Sequence, residues 1–348
     1  MFSKLIGNDV TKLTLRRLIQ QRRLPNSLLF VGPEGVGKKQ FAIETARALL
    51  CGERTDGEAC GACSSCQRAV KISPPNSDKA EDFDRIIFSE HPDVGVIFPL
   101  KRNVRIAAIR DLEREANFNP YEASARVFII DDADLMKDAA ANALLKTLEE
   151  PPATTHIILV TARPDVLLPT IRSRCQTIHF APIERKAIEE YLIETCAFSH
   201  NEARLAAGVA HGSIGRAVEI DVAKYREMRD RAVRVLRSAL IDNDTAALLK
   251  IAEELNDAKN KENFEPNLDI LEAVVRDVWR LACGVDASKL LDPEMAQSYQ
   301  GLARLAEPSR FANWLGEIEL LRRNLAVNIN RKVTTDALFL TMAAESGN

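Results

Sequence analysis

The run Ser27-Leu28-Leu29-Phe30-Val31 leads directly into Gly32-Pro33-Glu34-Gly35-Val36-Gly37-Lys38-Lys39, and no other feature restricts the possible folds as tightly. A mostly apolar strand that ends in glycines and a lysine, followed by a helical pattern from Gln40-Phe41-Ala42, has the frame of a phosphate-binding loop. Glycines let consecutive backbone N–H groups turn inward, and the helix behind them offers its positive end to phosphate. Lys38 is placed to reach the β and γ oxygens. Such a loop caps the carboxyl end of a buried strand, so it implies a parallel sheet covered by helices. The competing reading is a plain glycine-rich turn.

The rest of the amino-terminal half fits a sheet of that kind. Val94 to Phe98, Val127 to Ile130, His156 to Thr161 and Thr177 to Phe180 are short β-branched runs that alternate with helical segments. Their mostly apolar character suits strands buried on both faces. Between the first two strands lies a cysteine-rich excursion, Cys51 to Cys66, and then the polar stretch SPPNSDKAEDFD, which reads as a loop. This region is expected to be an insertion into the sheet.

After Ala181-Pro182 the β signal stops and helical periodicity takes over. A short helical unit runs to about Ile220 and contains HGSIGRA, whose Gly212 and Gly215 bracket a turn into a new helix. Further on, Leu268, Leu271, Val275, Val278, Trp279 and Ala282 share one helical face, as do Phe311, Trp314, Leu315, Ile318, Leu321 and Leu325. A helical-bundle core accounts for most of these stripes, and contact with neighbouring subunits is the alternative for some.

Charge and apolar patterning exclude several classes. The 348 residues carry 47 Lys and Arg against 50 Asp and Glu, a formal charge of −3, which lacks the basic footprint of an autonomous DNA binder. Nucleic-acid contact is therefore expected to be local or shared with partners. Arg16-Arg17, Arg22-Arg23 and the helix bearing Arg226, Arg229, Arg231, Arg234 and Arg237 are the candidate phosphate contacts, with a solvated helix face as the default. The amino-terminal segment has no apolar signal core, and no apolar run approaches the ~20 residues that span a bilayer. We therefore expect a cytoplasmic chain with no membrane partner, whose cysteines are thiols or metal ligands before they are disulfides.

Two departures weaken the expected ATPase chemistry. Lys39 stands where a Ser or Thr hydroxyl would ligate Mg²⁺, and an ammonium has no lone pair to give. In FIIDDAD, Asp131 ends a strand where a metal-binding carboxylate belongs, and Asp132 stands where a glutamate usually orients the attacking water. It is one methylene short. The loop is thus expected to keep its shape with hydrolysis weak or lost, which leaves ATP a doubtful ligand.

Cys51, Cys60, Cys63 and Cys66 form C-x8-C-x2-C-x2-C, a set suited to tetrahedral Zn²⁺ in a reducing compartment. Gly57, Gly61, Ala62, Ser64 and Ser65 permit the tight turns that bring backbone N–H groups to the sulfurs. Four protein ligands leave no open position, so the site is expected to be structural. Two disulfides or four unrelated thiols are the alternatives. Cys175, Cys196 and Cys283 read as buried apolar residues.

LFVGPEGVGK, the four-cysteine module after Leu49-Leu50, DDADLMKDAAANALLKTLEEPP and LLPTIRSRCQTIHF occur in an order that resembles the clamp-loader ATPase domain of bacterial gamma/tau and delta-prime subunits. The likeness spans at least Leu24 to Ala217. LRRNLAVNINRKVTTDALFL also resembles the last collar helices of delta-prime, less distinctively. This resemblance implies an α/β fold: a P-loop AAA+ domain over residues 1–181 with a zinc module at about 51–66, a helical lid over 182–222 and an all-α collar over 223–348. It implies that Arg174 of Ser173-Arg174-Cys175 acts as an arginine finger on a neighbour's ATP. Without the resemblance, Arg174 reads as an ordinary surface arginine. By the same route Thr161 takes the sensor 1 position and Arg216 the sensor 2 position, against a strand cap and a surface ion pair.

The implied partners are gamma/tau and delta subunits of DNA polymerase III, the β sliding clamp, and primer–template DNA reached through the complex. A gamma-type motor ATPase is the competing enzyme reading, which Lys39 and Asp132 oppose. A zinc-dependent nucleic-acid binder is the third, weakened by the net acidity.

Overall fold

The structure is a computed structural model that describes residues 1–242, 244–257, 263–326 and 330–344. It divides into two compact units, Met1–Cys196 with Ala210–Val218, and Ala197–Val209 with Glu219–Asn348.

The first unit is built on six strands: β1 (Ser27–Val31), β2 (Ile87–Phe88), β3 (Val94–Ile97), β4 (Arg126–Ile130), β5 (Thr155–Thr161) and β6 (Gln176–His179). They lie in the order β2-β3-β4-β5-β1-β6, and every pair is parallel except β2 with β3. The five expected strands are present within a residue or so at each end. The two-residue β2 was missed, since so short a run carries no period. A 3₁₀ turn, Ala80–Phe83, breaks the expected loop and buries Phe83.

Alternation along each strand supplies both faces of the sheet, as a period of two requires. Leu28, Phe30, Val96, Ile129, Ile158 and Ile178 pack on one side with Leu15 and Ile19 of α1 (Asp9–Gln20) and Phe41 and Ala46 of α2 (Lys38–Leu50). The short α3 (Ser64–Ala69) follows in the cysteine module on this same side. Leu29, Ile97, Phe128, Ile130 and Leu159 pack on the other side with Ile109 and Leu112 of α4 (Ile106–Ala116) and Leu144 of α5 (Asp138–Glu149). Ile171 of α6 (Pro169–Arg172) closes that layer. The unit is completed by α7 (Arg185–Cys196) and most of a second short helix, described below.

Two buried charges fix the β3–β4 pair. Asp93 is fully buried just before β3 and accepts hydrogen bonds from the backbone N–H groups of Tyr121, Glu122 and Ala123 at 2.7 to 3.0 Å. Arg126 at the start of β4 is equally buried, 3.7 Å from Asp93, and donates to the Glu115 carbonyl at 2.5 Å. The connection into β4 is thereby held, and with it the position of Asp131 at the strand's far end.

The second unit is helical. Its members are α8 (His200–Val209), α10 (Val222–Arg237), α11 (Thr245–Asn256), α12 (Phe264–Ala282), α13 (Ala296–Ala303), α14 (Pro308–Ala326) and α15 (Arg331–Ala344). The intervening α9 (Ile214–Glu219) lies mostly in the first unit, and Gly215 falls inside it rather than ahead of it. Leu268, Leu271, Val275 and Val278 of α12 and Phe311, Trp314, Ile318 and Leu321 of α14 are buried in one core, so both stripes are packing faces. Residues 327–329 of the resembling stretch LRRNLAVNINRKVTTDALFL lie outside the described residues.

The arginines of α10 divide. Arg229 is buried against Asp292 at 2.8 Å and Arg231 donates to Asn267 at 2.8 Å, so these two are structural, while Arg234 and Arg237 are exposed. Of the three isolated cysteines, only Cys175 is buried as expected; Cys196, the last residue of α7, is half-buried, and Cys283, which caps α12, is exposed. Among the described residues no helix is long and apolar enough to cross a membrane.

Replacing Asp93 with Ala is expected to destabilise the first unit by roughly 3–5 kcal/mol, because three N–H groups lose their acceptor and the buried Arg126 keeps only the Glu115 carboxylate at 3.1 Å. Urea unfolding followed by far-UV circular dichroism measures this.

Candidate functional site

Parallel strands all point their carboxyl ends to one edge, and β1 is flanked there by β5 and β6. The loop Gly32–Gly37 leaves β1 at that edge and enters α2, with Gly37 at φ +94° as the helix cap. Two glycines are required by close approach. A Cβ on Gly32 would collide with the carbonyl oxygen of Phe180, and one on Gly35, at φ +72°, would collide with Oγ of Ser213. The latter contact continues as a hydrogen bond, with Gly215 N–H donating to the Gly35 carbonyl at 2.9 Å. Val36 is buried under the loop.

The lysines of the loop are both engaged. Lys38 is buried and its Nζ donates to the carbonyls of Gly32 and Pro33 at 2.7 and 2.6 Å. Burial lowers its pKa, against the pull of Asp132, Glu34 and Asp131. Lys39 reaches across to β4, where its Nζ lies 2.8 Å from Oδ2 of Asp131 and 5.5 Å from the Phe98 ring centroid. An ammonium therefore stands against the carboxylate that a metal ion would need.

Asp132 follows with a left-handed backbone, φ +44°. Burial pushes its carboxyl pKa up, and the neighbouring Asp131 and Asp134 add to the rise. Thr161, at the end of β5, is fully buried; its Oγ1 donates to Oδ1 of Asp134 at 2.5 Å and accepts from the Arg163 N–H at 2.9 Å. Asp134 also receives Arg163 Nε at 2.8 Å. Sequence reasoning missed this residue, although the repeated acid in Asp131-Asp132-Ala133-Asp134 was its signal. Arg216 on α9 makes an exposed 3.3 Å ion pair with Glu34 of the loop.

Arg174 does not belong to this cluster. It lies between α6 and β6, with about a third of its side chain exposed, and its partners are Thr170, Ser173 and Glu149. The cysteine module forms a third centre. The sulfurs of Cys51, Cys60, Cys63 and Cys66 lie within 4.8 Å of one another, with Cys60 and Cys66 at 3.9 Å. Tetrahedral metal–sulfur bonds of ~2.3 Å would set sulfurs about 3.8 Å apart, so the set fits one ion. Backbone N–H groups of Cys60 and Cys63 donate to the sulfurs of Cys51 and Cys60, each at 3.3 Å. The N–H groups of Cys63 and Ala62 hold the Cys60 thiol down to about 7, while burial pushes Cys66 up to about 12. Four crowded sulfurs cannot all ionise without a cation between them.

A strand–loop–helix inside a mostly parallel sheet, with an acidic strand end on the same edge and a helical region later in the chain, defines a P-loop protein of the AAA+ class. Comparison with known proteins narrows this. The family described as DNA polymerase III, delta subunit, matches residues 7–184, just over half of the chain. DNA polymerase III subunit delta′ of Bacillus subtilis is 31% identical over 326 residues, 93% of this chain and 92% of that one. Its counterpart in Escherichia coli is 28% identical over 325 residues, 92% and 90% of the two chains. Subunit gamma/tau of Mycobacterium bovis is 31% identical over 195 residues, 56% of this chain and 31% of that one. The chain belongs to the delta′ family of DNA polymerase III subunits.

Gly32→Ala is expected to lower stability by about 1–3 kcal/mol, because the obstructing atom is backbone and cannot rotate away. Thermal unfolding of the purified variant tests it.

Proposed function

We propose that this chain serves as the delta′-type subunit of a DNA polymerase III clamp loader, lends Arg174 to the nucleotide site of a neighbouring subunit, and turns over little ATP itself. The observation that carries the second half is the Lys39 ammonium 2.8 Å from Asp131. A magnesium ion at that carboxylate would need to displace a cation that is covalently tethered to the loop, and the hydroxyl that should share the ion is absent. The residues present do not fit Mg²⁺. With Asp132 one methylene short of a glutamate, the water-orienting role is weakened as well.

Arg174 has what its own loop lacks. An exposed guanidinium on the rim of the unit can meet a triphosphate presented by another chain, where it would offset charge developing on the γ-phosphoryl oxygens. Fingers of this kind change rates by roughly 10³ to 10⁵. Thr161 and Arg216, by contrast, spend their polar groups on Asp134 and Glu34. We read them as braces of the loop's surroundings in the absence of nucleotide.

The four cysteines would hold structural Zn²⁺, which supplies a closed tetrahedral cross-link to a segment with little apolar core of its own. Residues 1–181 would then act as the AAA+ domain, 182–222 as the lid and 223–348 as the collar that joins gamma/tau and delta. The β sliding clamp and primer–template DNA are partners of the assembled loader in the cytoplasm.

Three measurements test this reading. The isolated chain is expected to show no Mg²⁺-dependent ATP turnover above background. In a loader reconstituted with gamma/tau and delta, Arg174→Ala should lower DNA-stimulated ATP turnover several-fold, because one site loses a group worth roughly 10³ or more. Metal analysis should find about one zinc per chain, and chelation should release it while exposing four titratable thiols.

A further inference from the structure

Arg174 does not hang free. Its Nη1 donates to the carbonyl of Thr170 at 2.9 Å, and its Nη2 stands 2.5 Å from Oε1 of Glu149. The side chains of Arg174 and Glu149 are 34% and 48% exposed, so this is a surface pair on an otherwise ordered rim.

The position of Glu149 is unusual for an acid. It is the last residue of α5, where unpaired carbonyls already create a partial negative charge. A carboxylate there is disfavoured unless a cation lies opposite, and Arg174, delivered from a separate element, is that cation. Glu149 and the Thr170 carbonyl take one N–H each from Nη2 and Nη1. A 3.5 Å approach of Nη1 to Ser173 Oγ is too long to commit another. Of the five guanidinium N–H donors, three remain for an incoming anion: one on each Nη and the one on Nε.

We propose that Glu149 is a positioning residue for Arg174, holding the guanidinium in one orientation so that a neighbour's γ-phosphate meets preset donors. This rests on the trans-acting role of Arg174. A long side chain left loose would have to surrender its rotamer freedom at the moment of docking. Prior fixation by Glu149 removes much of that loss. Magnitudes separate this role from that of an inhibitory latch. An exposed ion pair biases its members by roughly a factor of five or less, whereas a finger contributes roughly 10³ or more. The carboxylate therefore cannot keep the arginine from a triphosphate, but it can set where the arginine waits.

The test is a double-mutant cycle in the reconstituted loader with active gamma/tau subunits, delta, clamp and primed DNA. ATP turnover is measured against ATP concentration for the unaltered chain, Glu149→Gln, Arg174→Ala and the double variant. Glu149→Gln is expected to lower kcat by less than Arg174→Ala does, by up to about two-fold, with KM for ATP nearly unchanged, and to cause no further loss in the Arg174→Ala background. Full-rate turnover by Glu149→Gln beside a slow Arg174→Ala overturns the positioning role alone. An equal loss in both backgrounds also overturns it, since the effect would then be structural. Full-rate turnover by Arg174→Ala overturns the trans-arginine reading and the positioning role together.

Discussion

Parallel strands in one sheet must all end on the same edge, and that constraint assembles the candidate site. Val31, Ile130 and Thr161 are far apart in sequence, yet β1, β4 and β5 bring their carboxyl ends to one rim. The loop, the acids of residues 131–134 and the buried threonine meet there as a result. Apolar burial on both faces of the sheet, reinforced by Asp93 and Arg126 at the opposite end of β3 and β4, holds that rim in place.

What gathers at the rim is a network closed on itself. Lys38 satisfies the loop's own carbonyls, Lys39 satisfies Asp131, Thr161 and Arg163 satisfy Asp134, and Gly35 lies against Ser213 and Gly215. Lys38 and Lys39 would have to change partner before a metal–nucleotide complex could enter. The buried carboxylates are tolerated because lysine and arginine lie beside them, which is the usual condition for charge away from water. Electrostatics here favour a stable scaffold over a reactive pocket, as the low ATP turnover we propose requires.

The cysteine module and the helical unit show two other ways of stabilising a chain. The module has few apolar residues, and its four sulfurs converge on one point, which suits a metal cross-link. The helical unit relies on a large apolar core around Trp314 and Phe311, with the Arg229–Asp292 pair buried at its edge. That pair accounts for an arginine which in sequence looked like a candidate for phosphate contact.

Most of the fold was legible because periodicity and motif are local. Short, mostly apolar β-branched runs announced the five parallel strands, a helical period announced the stripes on α12 and α14, and cysteine spacing announced the metal-type cluster. The antiparallel β2 was too short to show a period, and nothing in the spacing of Cys283 distinguished an exposed helix end from a buried one. The motif residues at positions 32–39 and 131–132 were visible for the same reason, since they are contiguous.

Pairings were decided only by the tertiary structure. The sequence by itself determined that Lys39 cannot ligate magnesium, because that follows from the chemistry of an ammonium group. That its charge lies on Asp131, that Thr161 spends its hydroxyl on Asp134, and that Arg174 rests against Glu149 required the fold. A side chain's chemistry is a property of one residue, whereas its partner is set by the packing of strands and helices that bring distant residues within 3 Å.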